Sequence, residues 1–167
     1  MRSASNGKHK DKEQIGAKAD DGKLKKIKDV TDRHKETMNL TFKAFEHLMQ
    51  TVADGWNEGN ARKAADCFSE DAIYVEPPDK QLYHGQAELY EFFGGDAGTA
   101  LPMKMTWHHL AFNEVEQVGF GEYTFQMHGR YHGIVVVQLE SGLIKHWREY
   151  QYRSELTWEE FTRHNSS

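Results

Sequence analysis

Leu143-Ile144-Lys145-His146-Trp147-Arg148-Glu149-Tyr150-Gln151-Tyr152-Arg153 is the stretch whose reading settles the architecture. Its aromatic content and alternation predict one long strand, with Lys145, Trp147, Glu149 and Gln151 on one face and Ile144, His146, Arg148, Tyr150 and Tyr152 on the other. Three upstream runs have the same character: Met103 to Val115, Val118 to His128 and Tyr131 to Leu139. The separators Glu116-Gln117, Gly129-Arg130 and Ser141-Gly142 are short enough for hairpins, so the four runs predict an antiparallel meander.

Further upstream the period changes from two to between three and four. Met38, Phe42, Phe45, Leu48, Met49, Val52 and Trp56 place one apolar stripe on a helix of about six turns. Gly59 and Asn60 stop it. Ala61 to Phe68 reads as a short second helix, Ala72 to Glu76 as a brief strand ended by Pro77 and Pro78, and Gln86 to Phe93 as a third helix before Gly94 and Gly95. After the meander, Thr157 with Glu160 three residues on has the form of a capping box opening a short last helix. Helices first and a bent meander second predict an α+β domain, with three N-terminal helices on one face of a mainly antiparallel sheet. Aromatic residues on both sides of that sheet predict that a second copy of the chain covers the other face.

The chain has 167 residues, room for one domain of ordinary size. Charge is unevenly spread. Residues 1 to 36 hold 11 Lys or Arg against 7 Asp or Glu and the remainder 10 against 19, so a +4 start precedes a −9 body. Residues 1–35 read as a flexible basic tail without Phe, Tyr or Trp, aperiodic to about Asp21 and with only a weak helical pattern at Leu24, Ile27 and Val30, and 36–167 as the folded domain. An anionic body argues against nucleic-acid binding, which requires a cationic surface. Cys67 is alone, which leaves no intrachain disulfide and no cysteine cluster for zinc. No apolar run is long enough to span a membrane and Met1 to Lys12 lacks the apolar core of a secretory signal, so the expected compartment is the cytoplasm.

Two residues apart on one strand face, Trp147 sets an indole beside the Glu149 carboxylate, and desolvation there would raise the acid into the range useful for proton transfer. The bland alternative pairs Glu149 with a cation on a neighbouring strand, such as Arg130 or Lys104. The histidine pairs His108-His109 and His128 with His132 are discounted as metal ligands. Neighbours on a strand point to opposite faces, and the second pair straddles a turn.

Gly142-Leu143-Ile144-Lys145-His146-Trp147-Arg148-Glu149-Tyr150 resembles the closing strand of SnoaL-like proteins in the NTF2-like superfamily. So do Trp56-Asn57-Glu58-Gly59-Asn60, Phe68-Ser69-Glu70-Asp71-Ala72 leading to Tyr74, and His84-Gly85-Gln86, in that family's order. The resemblance covers about Leu40 to Phe161. It implies a cone of three helices against a curved sheet around a ligand pocket, and homodimers. Relatives include limonene epoxide hydrolase, ketosteroid isomerase-like enzymes, polyketide cyclases and members that catalyse nothing.

By residue matching, the resemblance implies Glu149 as the pocket acid with Trp147 as a wall. A Tyr-x-Asn element corresponds to Tyr74-Val75-Glu76. An Arg-x-Asp pair belongs on Val118 to His128, which has no arginine, so Glu122 and Thr124 are expected there to within one residue of register, with His108 or His109 joining. Without the arginine, epoxide hydrolysis by the limonene epoxide hydrolase route is not expected. The expected function is binding of a small hydrophobic molecule, with no cofactor and no metal, and acid-base isomerase, dehydratase or cyclase chemistry by Glu149, Tyr74 and Glu76. The alternatives are a non-catalytic carrier or sensor and a dimeric protein-interaction module.

Overall fold

The computed structural model describes residues 39–76, 81–98 and 103–163. The expected tail of residues 1–35, the helix start expected at Met38 and the Pro77-Pro78 stop lie outside them. Helix α1 spans Phe42–Asn57, shorter than expected because Thr41 caps it, its Oγ1 accepting from the Ala44 N–H at 3.3 Å. Its buried stripe is Phe45, Met49, Val52 and Trp56. Asn60 caps α2, Ala61–Ala65, through its side-chain oxygen. The two helices touch at Gly55, where an added Cβ would sit 2.7 Å from the Ala64 nitrogen, so only glycine permits the approach.

Strand β1, Phe68–Val75, starts four residues before its expected position because α2 ends early. The strand β2, Leu82–His84, and the helix α3, Gly85–Phe92, follow. The meander is β3, Lys104–Asn113; β4, Val118–Gln126; β5, Arg130–Glu140; and β6, Leu143–Arg153. One six-stranded sheet has the order β2-β1-β6-β5-β4-β3, in which only β1 and β6 run parallel. The β2 strand is absent from the sequence reading, since three residues are too few to show alternation.

Two irregularities re-aim side chains. Gln138 pairs with His146 but Leu139 with Ile144, so the extra residue Lys145 bulges. Ile144 is therefore fully buried in the core with Trp147, not on the outer face that simple alternation assigns it, and Lys145 instead pairs with Asp71. A second register shift lies between Trp107 and His109. It turns both His108 and His109 outward, where alternation predicts opposite faces.

The core lies between the helices and the inner sheet face, where Trp107 Nε1 donates to the Met49 carbonyl at 2.9 Å and Asn57 clasps the Met105 backbone in both directions. On the outer face the short helix α4, Trp158–Thr162, opens with the expected Thr157–Glu160 capping box. It packs Trp158 flat on His108 at 3.6 Å between ring centroids and Phe161 on His132 at 4.2 Å.

Candidate functional site

Between the inner sheet face and helices α1 and α3 lies a cavity of about 570 Å³, inside the range of small-molecule sites. Trp56, Phe92, Phe93, Met105 and Phe125 give it apolar walls. Strand alternation supplies its polar groups: Tyr74 and Glu76 from β1 and its end, Tyr123 from β4, and Glu149, Gln151 and Arg153 from β6. The register sets Tyr74 beside Trp147, Trp147 beside Val137 and Glu149 beside Val135, which closes the deep end with apolar side chains.

Glu149 is only 3% exposed. Trp147 Nε1 donates to its Oε1 at 2.6 Å and the Tyr123 hydroxyl to its Oε2 at 2.9 Å. The Tyr74 hydroxyl lies 3.1 Å from Glu149 Oε1 and 2.9 Å from Glu76 Oε2, and Gln151 Nε2 donates to Glu76 Oε1 at 2.6 Å. Neither Arg130 nor Lys104 reaches Glu149: its partners are two phenols and an indole. Trp147 lies beneath the carboxylate, stacked parallel to Tyr74 at 5.8 Å, and does not itself line the cavity.

Burial first, and the Glu76 carboxylate second, push the Glu149 carboxyl up to about 8 against the pull of its three donors. Burial also raises Glu76, opposed by the bonds from Tyr74 and Gln151. The Tyr74 and Tyr123 phenols are raised well above their usual value by burial and then by Glu149, which keeps both protonated. A phenol has one proton, so Tyr74 satisfies both carboxyl neighbours only if one of them is itself protonated and donates to the phenol oxygen. The site is thus a chain of two carboxyl groups and a hydroxyl that holds one proton more than two ionised acids would.

Glu149, Tyr74 and Glu76 therefore come together as the sequence suggested. Glu122, Thr124 and His108 do not join them, and their expected place in the pocket is corrected. The inward residue of β4 is Tyr123, which pairs with Trp107 and Gly133, so the strand sits one residue out of the assumed register. Glu122 and Thr124 point outward, where Glu122 Oε2 meets His109 Nδ1 at 2.7 Å and Thr124 Oγ1 meets His108 Nε2 at 2.7 Å and His132 Nδ1 at 3.1 Å. Tyr123 is the functional group missed. A signal was present: the glycines Gly119 and Gly121 precede it at spacing two, and they leave room on the inner face for Phe45 and Trp107. Among the described residues no group of three His, Cys, Asp or Glu is placed to hold a metal.

The profile of the SnoaL-like domain matches residues 49–147. The fold is that of a protein of unknown function with a cystatin-like fold from Methylobium petroleophilum, with a TM-score of 0.60 at 21% identity over 72% of this chain and 83% of that one. It is also similar to a proposed ketosteroid isomerase from Kribbella flavida, with a TM-score of 0.56 at 16% identity over 69% and 82% of the two chains. A third similar structure is the epoxide hydrolase/cyclase-like enzyme SalBIII of pyran ring formation in the polyether salinomycin, with a TM-score of 0.55 at 18% identity over 64% and 89%. Such identities speak for the fold alone, which NTF2-like structures share. No curated protein sequence matches the chain.

Proposed function

The chain belongs to the SnoaL-like domain family, and on that premise we propose that its cavity binds a small, largely apolar carbonyl compound and moves a proton on it, as an isomerase, dehydratase or cyclase does. The observation that carries the reading is the Tyr74 hydroxyl bridging the buried Glu149 carboxyl and the half-buried Glu76 carboxyl. At neutral pH Glu149 keeps the shared proton and donates it to Tyr74 Oη, and Tyr74 donates onward to Glu76. That leaves Glu76 as the base, able to take a proton α to the substrate carbonyl. As Glu76 takes that proton, the Tyr74 hydroxyl, backed by Glu149, turns its own proton from Glu76 to the oxygen on which enolate charge develops. Returning the proton to another carbon gives isomerisation. Delivering it to a leaving hydroxyl gives dehydration, and ring closure by the enolate gives cyclisation.

Exchange of α-protons for deuterium tests this on compounds that the protein binds, followed by NMR. Glu149→Gln and Glu76→Gln should each slow exchange by about 10²- to 10⁴-fold while binding is retained. Unchanged exchange in both variants would reject the carboxyl pair. Binding without exchange in the wild type would assign a non-catalytic carrier.

A second copy is the proposed occupant of the outer sheet face. Phe120, Ile134, Tyr150 and Tyr152 are exposed there, and the strand register makes Ile134 a direct neighbour of Tyr150. Exposed apolar side chains grouped on one sheet face mark association surfaces. No described helix is long and apolar enough to cross a membrane.

A further inference from the structure

The inner face of β6 presents Trp147, Glu149, Gln151 and Arg153 in succession, so above the buried indole an acid, an amide and a cation follow one another from the floor of the cavity to its mouth. Glu149 and Arg153 are four residues apart on one strand, about 13 Å between Cα atoms. Arg153 is the only Lys or Arg among the described residues that line the cavity. Its guanidinium lies across Gly129 in the β4–β5 turn, where an added Cβ would be 3.1 Å from Nε, and beside it the rim carries His128 and Tyr131. Among the described residues its one ionic neighbour is Glu155, with Oε1 at 4.0 Å from Nε and side-chain exposures of 64% and 86%. A pair that long and that wet does not hold the guanidinium. Between the acid and the cation, Gln151 Oε1 is buried with no donor.

Resting on the proton-transfer reading above, the geometry points to a substrate that carries a carboxylate besides its reacting carbonyl, the carboxylate held by Arg153 at the mouth while the apolar body fills the aromatic middle. A guanidinium is the side chain suited to this, since its planar donor fork matches a carboxylate in two parallel hydrogen bonds. The substrate class is therefore an apolar oxo acid whose two polar ends are separated by the depth of the cavity. Gln151 lies between them and supplies the acceptor for a hydroxyl in the middle of the molecule. Of the two deep carboxyl groups only Glu76 is ionised in that reading, so the floor of the cavity opposes such an anion with one charge and not two.

The experiment compares an acetylnaphthoic acid, whose acetyl and carboxyl groups sit at opposite ends of the two-ring system, with its methyl ester on the full chain, by calorimetric titration and by exchange of the acetyl protons in deuterated buffer. The wild type should bind the acid about fivefold to tenfold tighter than the ester, a margin that shrinks with added salt. Arg153→Gln should erase that preference, and Arg153→Lys should restore only part of it. Equal binding of acid and ester by the wild type, or a preference that survives in Arg153→Gln, overturns the carboxylate assignment and leaves the proton-transfer reading intact. Exchange that persists unchanged in Glu149→Gln and Glu76→Gln defeats the underlying reading, and the assignment of a substrate falls with it.

Discussion

Two carboxylates sit on opposite faces of the same sheet. Inside, Glu149 meets two phenols and an indole at 3% exposure. Outside, Glu122 meets His109 at 2.7 Å with side-chain exposures of 35% and 74%. The outer acid is the one whose partner is an imidazole, a group that becomes a cation when protonated, yet it is the inner carboxyl that is pushed far above its usual value. Water screens and solvates the outer pair, whereas the inner acid has lost its hydration and received only neutral donors in exchange. Solvent access, and not the number of hydrogen bonds, separates the two faces.

The largest test of that contrast is to open the floor beneath Glu149. Trp147 is fully buried, touches Trp56, Phe68, Tyr74 and Trp107, and holds the carboxylate through its indole N–H. Trp147→Ala should cost about 3–5 kcal/mol in urea unfolding, from the cavity left behind and the lost donor. Phe120→Ala, on the outer face of β4, should stay within about 0.5 kcal/mol for the monomer. Equal losses would mean that the two faces are buried alike, and the comparison would fail.

A smaller effect reads the inner acid by pH. Folding raises Glu149 from the ordinary value of 4.5 to about 8, so between those values the folded state binds more protons than the unfolded one. Stability should therefore be fullest below pH 4.5 as far as this group is concerned, fall by a few kcal/mol as pH rises to about 8, and level off above. Glu149→Gln, neutral at every pH, should flatten that slope and melt higher than the wild type at pH 8 to 9. A wild-type melting temperature that does not fall between pH 5 and 8 would show that Glu149 is ionised in the folded state.

These two faces also mark how far the sequence could be read. The four meander strands and the Trp147–Glu149 pair follow from alternation over ten or so residues, which is long enough to be unambiguous. Tyr74 and Glu76 were legible only through the family resemblance, because eight residues of β1 show no clean period and its bulge hides the register. Glu122, Thr124 and His108 were misplaced for a related reason. A one-residue slip exchanges the faces of a strand, and the bulge between Trp107 and His109, which reverses alternation in β3, turns His108 onto Trp158, fifty positions away, where no local pattern announces it. Tyr123 was hidden by the same slip. What alternation cannot register is an extra residue in one strand of a pair.

The smallest expected change in monomer stability carries the last contrast. If the outer face is an interface, Tyr150→Ser and Ile134→Asp remove apolar area that the monomer leaves in water, so neither should weaken the monomer by more than about 0.5 kcal/mol. Both residues are about half-exposed and adjacent in register, and Tyr150 is flanked on its strand by Arg148 and Tyr152. Light scattering should give twice the chain mass for the wild type and the single mass for the Ile134→Asp variant, since a buried unpaired carboxylate is tolerated far less than an exposed one. Proton exchange in the cavity should persist in the monomer, because every group in the Glu149–Tyr74–Glu76 chain comes from one protomer. A wild type that runs as a monomer at micromolar concentration would leave the exposed rings of the outer face without this occupant.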